Sequence, residues 1–282
     1  MTTFAEWNSD DARAHIAVPR EVDDKYTRGV LGVITGSTNY PGAAVLGVEA
    51  ALHTGLGMVR YLGPELPQNL VLQRRPEAVT ANGRVQAWLV GSGMDASTRD
   101  LAAAALLEMA LGQGLPTVID AGALDLLGLA TGSTVITPHF RELAQLVQAT
   151  PQQIAANPAA WAVRAAEQLG VTVLLKGHST YIAAPDGTRI VVSTAPAWVA
   201  TAGAGDALGG ILGALVATHS AQLGDESGVL GADPGLLARL AATASTLHGL
   251  AATRASAGGP LTVLGLIAEV PAVIANLLIR GR

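Results

Sequence analysis

The stretch Ala200-Thr201-Ala202-Gly203-Ala204-Gly205-Asp206-Ala207-Leu208 places one carboxylate among small residues, where an apolar helix is expected to begin. Small side chains let a ligand approach the backbone. The unpaired N–H groups of a helix start, aided by its dipole, make a site for an anion such as a phosphate. A carboxylate facing that anion is electrostatically unfavourable unless it has chemistry to perform. The chemistry that suits it is to accept a proton from a hydroxyl attacking a phosphoryl group, which makes Asp206 the candidate catalytic base. The plainer alternative is that Asp206 only caps the helix, a common role for aspartate. The Gly-Lys-Ser/Thr ending of a Walker loop is absent, so this is a different kind of phosphate turn.

Four further turns carry groups of interest. Lys176-Gly177-His178-Ser179-Thr180 offers an ammonium, backbone N–H groups and hydroxyls that suit a nucleotide phosphate, although a strand exit with an exposed lysine explains it too. Thr137-Pro138-His139-Phe140-Arg141-Glu142 holds a histidine able to hydrogen-bond a substrate and a glutamate able to organise a metal or water near phosphates. Thr35-Gly36-Ser37 with Gly42-Ala43-Ala44, and Gly91-Ser92-Gly93, are small-residue exits where something can approach the backbone. The remaining histidines, His15, His53, His219 and His248, lack ligand spacing and read as packing or surface residues.

These turns need a scaffold. Short apolar runs at Val30–Ile34, Met58–Leu62, Ala87–Val90, Pro116–Asp120, Thr134–Thr137 and Thr172–Leu175 read as buried strands. Between them lie helical patterns at Pro41–Leu56, Leu101–Leu111, Arg141–Gln148 and Trp161–Leu169. Ala207–Thr218 and Leu236–Thr253 follow as longer helices. Tyr181–Ala184 and Arg189–Ser193 around Pro185-Asp186-Gly187 read as a hairpin. Such alternation predicts an α/β fold with a mostly parallel central sheet, helices on both faces and a late edge hairpin. In that architecture ligands bind at the carboxyl ends of the strands, where these turns fall. Residues 1–25 are polar and aperiodic and are expected to drape over the surface or fray. Residues 26–282 are expected to form a single domain, with Gly224–Gly235 as a loop.

Composition excludes several classes. Half of the residues are hydrophobic, yet no uninterrupted apolar run reaches the roughly 18 to 20 residues of a spanning helix, so no membrane is expected. The net charge of −5 and the lack of a dense basic cluster argue against a nucleic-acid partner. With no cysteine, disulfides, thiolate chemistry and cysteine zinc sites are excluded. The first 20 residues lack the apolar segment of a signal peptide, and the expected location is cytoplasmic.

The turns also form an ordered set: Gly36-Ser37-x-x-Tyr40-Pro41-Gly42-Ala43-Ala44, Gly55-Leu56-Gly57-Met58-Val59, Arg75-Pro76-Glu77-Ala78 and Gly91-Ser92-Gly93. After these come Ile119-Asp120-Ala121-x-Ala123-Leu124, Thr137-Pro138-His139-x-x-Glu142-Leu143, Leu175-Lys176-Gly177 and the Ala200–Leu208 turn. From about Gly29 to Gly259 the chain resembles the ADP-dependent NAD(P)H-hydrate dehydratases, a branch of the ribokinase-like fold. The resemblance implies repair of NADH or NADPH that has taken up water at C6 of the nicotinamide ring. ADP phosphorylates the C6 hydroxyl and phosphate then leaves, giving NAD(P)H, AMP and inorganic phosphate.

By the same resemblance Asp206 is the base, and the N–H groups of Gly203, Ala204 and Gly205 stabilise the transferred phosphoryl group. Lys176, Gly177, His178, Ser179, Thr180 and Gly205 contact AMP, while Ala43, Gly93, His139 and Asp206 contact the hydrate. Mg²⁺ is the implied cofactor, with Glu142 as its candidate ligand, and a homo-oligomer is the implied assembly. The epimerase domain often fused to this one would need many more residues at the N terminus, so the copy is expected to stand alone. Three departures from the family pattern are visible: Gly122 where a second acid is usual, Phe140-Arg141 where Pro-Gly is usual, and Thr262-Val263-Leu264-Gly265 in place of Ala-Ser-Asp. The alternatives are an ATP-dependent small-molecule kinase of the same fold, acting on a vitamin alcohol, and a non-catalytic nucleotide-binding or sensor protein.

Overall fold

A computed structural model of the chain describes residues 3–223, 233 and 235–279. Apart from Asp233 and Gly235, the expected loop Gly224–Gly235 lies outside the described residues.

The strands are Ala5–Glu6 (β1), Val30–Ile34 (β2), Met58–Tyr61 (β3), Ala87–Val90 (β4), Thr117–Ile119 (β5), Thr134–Ile136 (β6), Thr172–Leu175 (β7), Thr180–Ala183 (β8) and Arg189–Val192 (β9). They form one nine-stranded sheet in the order β1-β9-β8-β7-β6-β5-β4-β2-β3. Only β8 among the described strands runs against the rest. Strands β2, β4, β5, β6 and β7 are buried at every position, which is why they read as continuous apolar runs rather than alternating ones.

The helices are Ser9–Arg13 (α1), Gly42–Thr54 (α2), Glu65–Arg74 (α3), Leu101–Leu111 (α4), Phe140–Leu146 (α5), Pro151–Ala156 (α6), Pro158–Leu169 (α7), Ala204–Thr218 (α8), Ser220–Leu223 (α9), Leu236–Ser256 (α10) and Val263–Ile279 (α11). Their ends follow local chemistry. Helix α7, for example, starts with Asn157 capping Ala160 N–H and Pro158 in its first turn, and stops at Gly170 in the left-handed conformation. One core, with α2, α8, α10 and α11, covers one face of the sheet. A second, with α4, α5, α6 and α7, covers the other. Among the described residues no helix is long and apolar enough to cross a membrane.

The N-terminal segment corrects an expectation. Residues 17–25 do run over the surface as mostly exposed coil and turn, but the start of the segment adds β1 to the outside of the hairpin, pairing Ala5 with Ile190 and Glu6 with Val191. Asn8 and Asp11 form a reciprocal cap on α1, Ala12 is fully buried, and Phe4 meets Tyr181 edge-on at 5.3 Å. The hairpin is therefore next to the edge, not at it. A two-residue strand is too short to leave a periodic signal.

Register levels the strand ends. Val90 pairs with Ile119, Ile119 with Ile136, and Ile136 with Val173. The next residues, Gly91, Asp120 and Thr137, therefore emerge side by side at the carboxyl edge, and Lys176 follows β7 beside His139.

Candidate active site

Asp120 is at the centre of that edge. It is only 2% exposed and accepts hydrogen bonds from groups following three other strands. Ser92 Oγ, after β4, donates to Oδ2 at 3.0 Å; Thr137 Oγ1, after β6, and Lys176 Nζ, after β7, each donate to Oδ1 at 2.8 Å. Burial alone would push the Asp120 carboxyl up. The Lys176 charge and these three hydrogen bonds outweigh it and hold the group below the usual aspartate value. Burial would likewise lower Lys176, but the charges of Asp120 and Glu142 raise it, with Glu142 Oε2 at 4.0 Å. Asp120 was absent from the site expected from sequence. Its signals there were a strand ending on an acid and its place in the Ile119-Asp120-Ala121 motif, neither of which gave it a role.

Helix α8 begins beside this cluster. Its N-cap is Gly203, with φ of 92°, and no side chain caps it. Asp206 lies in the first helical turn and so is not the cap, which removes the plainer reading of its role. Among the described residues no side chain donates a hydrogen bond to the Asp206 carboxylate. Burial first, and then the charge of Asp120, push it up to about 6, with Lys176 pulling the other way. Of the three amides expected to face an anion, Ala204 N–H is directed to Thr201 O at 3.3 Å. No backbone partner takes up Gly203, Gly205 or Asp206 N–H among the described residues. A Cβ built on Gly205 would meet only Lys176 Nζ, at 3.6 Å, so the ammonium stands over the open turn.

A cavity of about 700 Å³ opens from this turn. It brings together His139, Lys176, Gly177, His178, Thr180 and Gly205 from the expected site. Ser179 is not in its lining; its Oγ accepts from Ser193 Oγ at 2.9 Å. The apolar wall includes Val192, Pro196 and Val199, which suits a flat base, and the dimensions suit a nucleotide. His248, read from the sequence as a packing or surface residue, is buried and also lies in the cavity wall, and burial lowers it to about 4, so it is uncharged at neutral pH.

Ala43 and Gly93 are not in the lining of this cavity. A Cβ on Gly93 would lie 2.3 Å from Ala43 Cβ and 3.3 Å from Gly36 Cα, and its φ of 66° favours glycine as well. The three small residues thus bring the start of α2 onto the turn after β4. His139 is the N-cap of α5: its Nδ1 accepts from Glu142 N–H at 3.1 Å, while Glu142 Oε2 accepts from His139 N–H at 2.7 Å. Glu142 is thereby committed to a cap, and among the described residues no three acidic or histidine side chains converge to hold a metal. The donor set does not fit a metal caged by protein.

Residues 31–266 match the family model described as NAD(P)H-hydrate dehydratase. The chain belongs to that family. It is 42% identical over 229 residues to the bifunctional NAD(P)H-hydrate repair enzyme Nnr of Mycobacterium tuberculosis, covering 77% of this chain and 47% of that protein. The chain thus spans about half the length of the curated relatives it matches first. It is 34% identical to the ADP-dependent (S)-NAD(P)H-hydrate dehydratase of Neisseria meningitidis serogroup B, covering 72% of this chain and 74% of that one. The fold is that of the Bacillus subtilis ADP/ATP-dependent NAD(P)H-hydrate dehydratase co-crystallised with ATP/Mg²⁺, with a TM-score of 0.83 at 22% identity over 98% of this chain and 100% of that chain.

The departures from the family pattern have local causes. A Cβ on Gly122 would lie 2.3 Å from Met94 O, so the loop after β4 occupies the space of a side chain there. Arg99 locks this arrangement by donating to Gly122 O and to Asp125 Oδ1, the latter at 2.6 Å. Phe140 packs its ring against Gly177, and Arg141 is exposed. Thr262-Val263-Leu264-Gly265 forms the start of α11, with Thr262 Oγ1 accepting from Gly265 N–H at 3.1 Å.

Proposed function

We propose that this chain uses ADP to dehydrate the C6-hydrated forms of NADH and NADPH, giving NAD(P)H, AMP and phosphate. The observation that carries the reading is Asp206, a carboxylate pushed up to about 6 that receives no hydrogen bond among the described residues and directly follows Gly205, a helix-start residue lining a nucleotide-sized cavity. Family membership and the activities for which the relatives are named support the substrate pair.

In this reading the AMP moiety fills the cavity, with its phosphate near Lys176, Gly177 and Gly205. The C6 hydroxyl of the hydrate lies between Asp206 and the β-phosphorus of ADP, on the side of Ala43 and Gly93. Asp206 takes the hydroxyl proton as the new O–P bond forms, and the bond from the β-phosphorus to the bridging oxygen breaks to release AMP. The Gly205 and Asp206 N–H groups face the charge that develops on the transferred group. The ring nitrogen lone pair then expels phosphate from C6, and loss of a C5 proton restores the double bond.

Mg²⁺ is assigned to the nucleotide, since this ion commonly keeps its waters and binds through phosphates. It would neutralise phosphate charge there. The cytoplasmic location and the homo-oligomer belong to the same reading; cell fractionation and light scattering test them.

The direct test incubates the protein with hydrated NADH, Mg²⁺ and either ADP or ATP. Return of the dihydronicotinamide absorbance with ADP, matched by equal AMP and phosphate, is the expected result. ADP binding with no return of absorbance would refute it. A stable phosphorylated alcohol formed from ATP would assign the protein to the kinases.

A further inference from the structure

We propose that Asp120 is a positioning residue for this phosphoryl transfer, its buried carboxylate holding the Lys176 ammonium over the glycine turn and away from Asp206, so that Asp206 stays an unpaired base. The inference rests on the reading above.

An ammonium and a carboxylate that share a partly desolvated site pair with each other unless one is already committed. Asp206 and Lys176 share such a site, since Lys176 Nζ lies 3.6 Å from the Cβ position of Gly205, the residue before Asp206, and each alters the other's ionisation. Lys176 nevertheless donates to Asp120 at 2.8 Å, and Asp206 receives no hydrogen bond from it. Asp120 can hold Lys176 because Ser92 and Thr137 fix its two oxygens from the neighbouring strand ends. The negative charge of Asp120 also opposes ionisation of Asp206, which keeps the base proton-avid.

Other groups around Asp206 do not supply this effect. Glu142, on α5, reaches Lys176 only at 4.0 Å and serves the His139 cap. On α2, which packs against α8, Glu49 is paired with Arg74 at 3.0 Å and Arg75 at 2.6 Å. His248, on α10, is uncharged at neutral pH.

The test compares Asp120→Asn, Asp120→Asn/Lys176→Met and wild type by the pH profile of kcat at saturating ADP and hydrate, with melting temperature as a control. In Asp120→Asn the freed ammonium pairs with Asp206. The acid limb should move down by about one pH unit or more, and kcat at neutral pH should fall about ten- to a hundredfold. Removing the ammonium as well should bring the limb back up toward 6. A purely structural Asp120 predicts lost stability or kcat with the limb unmoved in both variants, and that result overturns the proposal.

Carbon-13 titration of the side-chain carboxyls in the ligand-free wild type needs neither a folded variant nor turnover. Asp206 titrating near 6 while Asp120 stays ionised well below it is expected. Asp206 titrating at an ordinary aspartate value would overturn the proposal. Failure on hydrated NADH with that titration intact would count against the substrate reading alone.

Discussion

The two sides of the α8 start are built by opposite means. On the cavity side, groups from β5, β6 and β7 crowd charge and hydrogen-bond donors against the turn: Asp120, Thr137 and Lys176 meet within hydrogen-bond distance. On the α2 side the approach is set by small residues, because Gly36, Ala43 and Gly93 lie so close together that one added Cβ would overlap its neighbour. The first side works through fields, the second through space. Substitutions on the cavity side should therefore alter charge-dependent behaviour, and those on the α2 side should alter fit with the pH dependence unchanged.

The largest break is expected at Asp206, where the two sides meet. Asp206→Asn should lower kcat by about two or more powers of ten with ADP affinity nearly intact, as read by single-turnover kinetics and calorimetry. A variant with full rate would remove Asp206 from the mechanism. Stability should move the other way. The carboxyl is raised from 3.8 to about 6 in the folded chain, so the stability it contributes is fully present below pH 3.8 and lost as pH rises through 6. At pH 7 its charge costs the fold on the order of 2 kcal/mol, so the asparagine variant should melt higher than wild type at pH 7 but not at pH 4. Wild-type activity should fall below about pH 6 as the base is protonated.

Gly205→Val comes next. The position has room for a Cβ, with only Lys176 Nζ nearby at 3.6 Å, so the fold should be retained. The valine would stand where the phosphate approaches, and ADP affinity should drop about ten- to a hundredfold. Unchanged affinity would argue against phosphate binding at the turn. Gly93→Ala tests the opposite side. Its Cβ would strike Ala43, so a stability loss of about 1–3 kcal/mol and a roughly tenfold rise in KM for the hydrate are expected, with ADP affinity and the acid limb unchanged. A shifted acid limb in Gly93→Ala would break the division between fields and space.

The order of the central strands was legible because β2 and β4 to β7 are buried on both faces and leave unbroken apolar runs, whereas α3, α6 and α11 were not read from the sequence. Asp206 stood out as a candidate because it is a lone acid among small residues at an expected helix start, and the structure places it in the first turn of α8. Asp120 was not, since its role depends on parallel register bringing Ser92, Thr137 and Lys176 level with it across distances of 28, 17 and 56 residues in sequence. His248 was missed for a similar reason, because nothing local in α10 says that its turn passes under Ala204. The N-terminal strand was too short to show any period. At Gly122 the sequence showed a lost acid, and only the path of Met94 explains why no side chain fits.

The smallest effect is predicted at Ser179, where local sequence and geometry diverge. The Lys176–Thr180 segment reads as a continuous phosphate-binding run, and on that basis each member would contribute to nucleotide affinity. The structure engages the hydroxyl elsewhere. Ser179 accepts a hydrogen bond from Ser193, tying the start of the β8–β9 hairpin to its end, while Gly177, His178 and Thr180 line the cavity. An exposed hydrogen bond of this kind contributes only about 0.5–1.5 kcal/mol to stability. Ser179→Ala should thus lower the melting temperature slightly and change ADP affinity less than about twofold, whereas Thr180→Ala should weaken it by several-fold. A loss at Ser179 equal to that at Thr180 would mean that the hairpin turns over on nucleotide binding and brings the whole segment to the phosphate.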